Sequence, residues 1–212
     1  MAAATTTRRL RVVTWNIHSC IDHRGRYTPE RTARVIRLLA PDIVVMQEAN
    51  LAAEAGDDRL IAALAPALPY WEFAPTHERG CGHRPGETTH FGNLIASHWP
   101  LYPEAALDLS HSEREPRQAL RARVELPEGN LHCWGVHLGL GLIERREQGR
   151  RLAEAVARLR ADEPLVLAGD FNEWLPRAGS LKGLRHEMRR LPPRRSFPAS
   201  RPLLAPLDQS QP

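Results

Sequence analysis

Four apolar runs each lead into residues able to do chemistry: Trp15-Asn16, Met46-Gln47-Glu48, Val136-His137-Leu138 and Gly169-Asp170-Phe171-Asn172. The carboxylates of Glu48 and Asp170, with the carboxamides of Asn16 and Asn172, make an oxygen-rich donor set. Such a set suits a hard cation, Mg²⁺ or Mn²⁺, better than Zn²⁺. His137 adds a group that transfers protons near neutral pH or donates to developing negative charge. Singly, each residue has an ordinary explanation. Asn16 fits a turn, Glu48 a helix-starting acid, Asp170 with Asn172 an Asx turn, and His137 a satisfied core histidine. Together they point to one rim, because strand ends in layered α/β domains gather side chains from distant parts of the chain.

The elements that must position these groups follow from pattern. Arg11–Trp15 reads as a strand, and Thr28-Pro29-Glu30 as a helix start with a capping hydroxyl, proline in the first turn and an acid beside it. Val35, Ile36 and Leu39 continue at helical spacing until Pro41. Ile43–Met46 is a continuous apolar run, the mark of a strand covered on both faces, and it ends at Gln47-Glu48. A helix is expected through Leu60, Ile61 and Leu64. Tyr70–Phe73 suggests a strand, and Thr76–Thr89, rich in Gly, His and charge, a loop. Phe91–Ser97, Ala119–Leu126 and Leu131–Leu138 read as further strands. Glu144–Arg160 is expected to be a helix with Leu152, Val156 and Leu159 inward. Leu165–Ala168 is another buried strand, and Leu181–Arg190 a short helix. Strands with interspersed helices predict a layered α/β domain.

Length and composition bound the rest. The 212 residues predict one domain over 10–208, after a disordered segment 1–9 and before a tail 209–212. Hydrophobic residues at 42% and charged residues at 25% exclude wholesale disorder. No run approaches the ~18 apolar residues of a membrane span. Cys20, Cys81 and Cys133 are odd in number and far apart, which argues against a disulfide framework and for the reducing cytoplasm. The net charge of +4 permits an anionic partner without naming one. Lys182 is the only lysine, so the basicity reflects an arginine bias. His77, Cys81, His83 and His90 lack the paired spacings of structural zinc sites.

Thr14-Trp15-Asn16-Ile17-His18, Asp42 to Glu48, Phe91 to Ser97, Arg114-Glu115-Pro116-Arg117, Gly135 to Leu138 and Gly169 to Asn172 occur in this order. The sequence thereby resembles the endonuclease/exonuclease/phosphatase superfamily, the deoxyribonuclease I-like metal-dependent phosphohydrolases. The resemblance implies an α+β fold, a two-sheet β-sandwich flanked by helices. It also implies Glu48 as main metal carboxylate with Asn16 beside it, and Asp170 and Asn172 positioning the nucleophilic water. His137 would serve the scissile phosphate or leaving oxygen, Arg117 and Asn93 would steady substrate phosphate, and Asp208 would be a further site residue. The implied cofactor is Mg²⁺ or Mn²⁺, and the implied activity is hydrolysis of phosphate esters, foremost phosphodiesterase or nuclease. Nucleic acid, a phospholipid headgroup or a small phosphate ester are the implied substrates. The family's Ser-Asp-His does not occur in the 212 residues. The expectation is therefore a C-terminally incomplete sandwich with weakened activity, or a catalytically silent binding protein on the same scaffold.

Overall fold

The computed structural model describes residues 9–52, 58–79, 89–160, 162–173 and 179–189. They fall into two compact units: those within Met1–Leu107, Ala119–Val136 and Pro164–Asp170, and those within Asp108–Gln118, His137–Glu163 and Phe171–Pro212. No helix among the described residues is long and apolar enough to cross a membrane.

The first sheet has the order β1 (Val12–Asn16), β2 (Ile43–Ala52), β4 (Thr89–Ser97), β3 (Tyr70–Arg79), with β1 parallel to β2 and β4 antiparallel to both its neighbours. The second runs β5 (Leu101–Asp108), β6 (Gln118–Leu126), β7 (Gly129–His137), β8 (Leu165–Asp170). Strand β2 explains why its apolar run does not alternate with polar residues. Ile43 and Val45 pack with Ala74 and Ile95 against Leu120, Ala122, Val124, Leu131 and Cys133 of the second sheet. Val44 and Met46 face the other way, against Ala33 and Ile36 of α1 (Pro29–Leu39) and Leu60, Ile61 and Leu64 of α2 (Arg59–Leu64). Each buried Val, Leu, Ile or Met among them contributes about 1.5–3 kcal/mol, and each alanine methyl under ~1 kcal/mol. The expected two-sheet sandwich with flanking helices is the fold observed. Both helices start for local reasons, and α1 also stops for one. Pro29 opens α1 and Ala40, left-handed at φ 44°, closes it, while the Asp58 carboxylate accepts from the N–H groups of Leu60 and Ile61 at the start of α2.

In the second unit α3 spans Leu142–Val156 and α4 Lys182–Glu187, the latter preceded by a 3₁₀ turn at Gly179–Leu181. Helix α3 departs from the amphipathic pattern, because its buried face includes Glu144, Arg145 and Gln148 beside Leu152. Gln148 accepts from the Gly139 N–H at 2.9 Å and donates to the Leu109 carbonyl at 3.0 Å, and Arg145 donates to the Leu140 carbonyl. The polar face therefore satisfies the backbone of two loops that have no ladder of their own.

Several sequence expectations are corrected. The Thr28 hydroxyl does not cap α1 but donates to the Cys20 carbonyl, and the helix expected over Glu144–Arg160 ends at Val156, short of Leu159. Part of the loop expected over Thr76–Thr89 is strand, since β3 runs to Arg79 and β4 begins at Thr89. Strand β5 was not expected. It is the edge of its sheet, mostly exposed, and an edge tolerates the missing donor of Pro103. Finally, β2 does not end at Gln47-Glu48 but continues to Ala52 through a bulge.

Candidate active site

That bulge is what presents Glu48. The register of β2 against β4 shifts between Met46 and Ala49, and Glu48 adopts φ 57°. A bulge turns one side chain out of the pleat. Its neighbour Gln47 stays buried and structural, donating to the Val45 carbonyl at 3.1 Å and to the Thr14 hydroxyl at 3.2 Å. Gln47 thus ties β2 to β1 and leaves Glu48 to face outward from the ladder.

Asn16, the last residue of β1, lies opposite Gln47. Its Nδ2 donates to Glu48 Oε1 at 2.9 Å and to Asp170 Oδ2 at 3.3 Å. Its Oδ1 accepts the His18 N–H at 3.2 Å, which sets the orientation of the amide. His18 Nδ1 lies 3.3 Å from the other Glu48 oxygen, Oε2. Asp170 ends β8 immediately after Gly169, whose φ is 153°. A Cβ on Gly169 would lie 2.0 Å from the Val136 carbonyl oxygen, so only glycine permits this approach of β8 to β7. Asn93 is buried on β4 opposite Ala74.

Two carboxylate oxygens from remote strands thus meet on one amide nitrogen. The donor chemistry fits a hard divalent cation, which retains several waters and needs few protein carboxylates. Asn16 contributes a donor to the carboxylates, its oxygen being turned to His18. Among the described residues no three His, Cys, Asp or Glu side chains stand as a ready ligand cluster, so the fit rests on the carboxylate pair.

The second unit holds another constellation. Arg117, 8% exposed, donates through Nη1 to His137 Nδ1 at 3.1 Å and through Nη2 to Glu115 Oε2 at 2.9 Å. Because arginine only donates, the facing ring nitrogen accepts, and neutral His137 carries its proton on Nε2. The loop carrying Arg117 is closed by the Leu109 N–H, which donates to the Arg117 carbonyl at 2.8 Å. Asn172, at φ 48°, donates through Nδ2 to the Leu138 carbonyl at 2.7 Å.

Of the expected site residues, the first unit therefore joins Asn16, Glu48 and Asp170, and the second joins Arg117 to His137. Asp208 lies outside the described residues, as do Cys81 and His83. Sequence reasoning gave no role to Glu115, which sits two positions before Arg117 within the same motif; it offered His18 only as one of several histidines that could replace the family's missing base, not as a partner of Glu48. Thiol chemistry is not available at the two described cysteines. Burial pushes Cys20 up to about 11 and Cys133 up to about 12, which leaves both as protonated core residues at neutral pH.

The two-sheet sandwich with flanking helices carries a carboxylate pair, Glu48 at the bulge inside β2 and Asp170 at the end of β8. The chain belongs to the endonuclease/exonuclease/phosphatase family, whose model matches residues 13–208. It is similar to the uncharacterized protein YbhP of Escherichia coli K12, 31% identical over 210 residues, covering 92% of this chain and 81% of that protein. Among solved structures it is similar to an endonuclease/exonuclease/phosphatase from Beutenbergia cavernae, with TM-score 0.68 and 27% identity over 84% of this chain. This chain spans 53% of that structure. It is also similar in fold to the mannosyl-6-phosphatase Bt3783 of Bacteroides thetaiotaomicron, with TM-score 0.61 and 17% identity over 84% of this chain and 71% of that one.

Proposed function

We propose that the protein is a divalent-cation-dependent hydrolase of phosphate esters, acting on phosphodiesters foremost. The observation that carries the reading is the Asn16 amide held between the Glu48 and Asp170 carboxylates. In this reading Glu48 is the principal carboxylate for Mg²⁺ or Mn²⁺, and Asn16 fixes its direction. Asp170 and Asn172 orient the attacking water. Arg117 binds phosphate oxygens through its planar fork, Asn93 supports the same group, and His137 donates its Nε2 proton to a phosphate or leaving oxygen. Asp208 is assigned a site role by the family pattern alone. When bound, the cation neutralises negative charge developing on the phosphoryl oxygens.

The basic balance of the chain favours nucleic acid among phosphodiesters. The fold likeness to a sugar phosphatase keeps phosphate monoesters as the next class to test. The test is a turnover screen over DNA, RNA, bis-p-nitrophenyl phosphate, phosphoinositides and mannose 6-phosphate, with and without chelator. Turnover is expected to vanish with EDTA and return with Mg²⁺ or Mn²⁺. Glu48→Gln is expected to lower it roughly 10²–10³-fold, the scale of losing one preorganised electrostatic group. Chelator-insensitive turnover, or full activity in Glu48→Gln, overturns the reading.

A further inference from the structure

We propose that His18 is a positioning residue for Glu48, held to that task by a left-handed turn; the inference rests on the reading of Glu48 as the cation carboxylate. His18, Ser19 and Cys20 have φ of 46°, 53° and 57°. Three successive non-glycine residues in this region are sterically costly, and such strain persists only where the surroundings over-determine it. They do so here. The Cys20 N–H donates to the Ile17 carbonyl at 2.9 Å and the Ile21 N–H to the His18 carbonyl at 2.9 Å. The Thr28 N–H and hydroxyl both donate to the Cys20 carbonyl, at 2.8 and 3.3 Å. Asp22 closes the following loop by accepting from the N–H groups of Arg24 and Arg26 at 2.9 and 3.0 Å.

The turn buries its second and third residues and projects its first. Ser19 and Cys20 are 5% and 4% exposed, whereas the His18 side chain is 68% exposed. An imidazole so exposed adds little to the core, and an exposed pair with a carboxylate contributes little to stability. Its position nevertheless constrains Glu48 from two sides. The ring Nδ1 meets Glu48 Oε2 at 3.3 Å. The His18 backbone N–H holds Asn16 Oδ1 at 3.2 Å, which turns Asn16 Nδ2 to Glu48 Oε1 at 2.9 Å. One residue therefore addresses both oxygens of the carboxylate, one directly and one through Asn16. Groups that orient a ligand in this way commonly change metal affinity 10–100-fold when removed.

The experiment is direct Mn²⁺ binding to the full chain, by electron paramagnetic resonance of the free ion, beside thermal melting in EDTA. His18→Ala is expected to weaken Mn²⁺ binding about tenfold with an unchanged melting midpoint. His18→Asn is expected to restore most of the affinity, because its Nδ2 replaces the ring Nδ1 and asparagine accepts left-handed φ. Glu48→Gln is the control and is expected to abolish binding. Unchanged Mn²⁺ affinity in His18→Ala, with binding lost in Glu48→Gln, overturns the role of His18 and leaves the reading of Glu48 standing. A lowered midpoint with no rescue by His18→Asn also overturns it, by making His18 structural. Mn²⁺ binding that is absent from the unaltered protein, or indifferent to Glu48→Gln, overturns both.

Discussion

Asn16 and Asp170 are 154 positions apart in the chain, yet Asn16 Nδ2 lies 3.3 Å from Asp170 Oδ2. The same nitrogen serves Glu48 at 2.9 Å, so one amide lies between two carboxyl groups. Asn16→Asp replaces that donor with a third carboxylate. Like-charge repulsion is expected to cost about 1–2 kcal/mol in EDTA. Mn²⁺ is expected to recover it, because a ligand that binds only the folded state stabilises by mass action. Thermal melts with and without Mn²⁺ check both signs, and the cation-induced rise should exceed that of the unaltered protein.

Arg117 bridges Glu115 and His137 inside the second unit. Arg117→Met keeps the apolar stem and removes the fork. Its expected effect is a fall in kcat of about 10²-fold with the circular dichroism spectrum retained, as when one preorganised donor is lost. Glu115→Gln, which keeps a neutral acceptor beside Arg117, is expected to cost less than Arg117→Met. Steady-state kinetics on bis-p-nitrophenyl phosphate separates the two.

Gly169 has no room for a Cβ, with the Val136 carbonyl oxygen 2.0 Å from where it would stand, and its φ of 153° disfavours any side chain. Gly169→Ala is expected to destabilise by about 2–4 kcal/mol and to displace Asp170. Urea unfolding measures the first effect and Mn²⁺ binding the second.

Ala40 presents the opposite case. It closes α1 with φ 44° and ψ 56°, is exposed, and its N–H caps the carbonyls of Ile36 and Arg37. Ala40→Gly is expected to stabilise by about 0.5–1 kcal/mol, since glycine occupies the left-handed cap without a Cβ penalty. An unchanged urea midpoint would contradict this.

Acid stability should track the carboxylates held low in the folded state, Asp22 and Glu147 foremost, with Glu30 and Asp108 lowered beside them. The Arg26 N–H, with the Arg26 guanidinium and the Arg24 N–H, lowers Asp22 from 3.8 to about 2. Hydrogen bonds from Arg150 and Arg151 lower Glu147 from 4.5 to about 2. Groups depressed in the folded state contribute stability above their ordinary pKa, and that stability is lost as pH falls through the folded value. The melting midpoint is therefore expected to hold above pH ~4.5 and to decline toward pH ~2. Asp22→Asn with Glu147→Gln should flatten that decline while lowering the midpoint at neutral pH.

Much of the fold was legible because its signals are local. Ile43–Met46 announces a strand covered on both faces, and Thr28-Pro29-Glu30 announces α1. What lay hidden was set by partners remote in sequence. Edge strand β5 buries too little to show a pattern, and its Pro103 argues against a strand until its edge position is known. The polar face of α3 makes sense only beside the loop backbones that Gln148 and Arg145 satisfy.

The site divides the same way. Residue type and order offered Asn16, Glu48, Asp170 and His137 as candidates, and the family resemblance offered Arg117, because both rest on which residues occur and in what order. Tertiary structure alone decided that a bulge aims Glu48, that Asn16 turns its nitrogen to two carboxylates, and that Arg117 fixes the His137 tautomer. Each depends on hydrogen-bond geometry between chain segments far apart, which residue order does not encode locally.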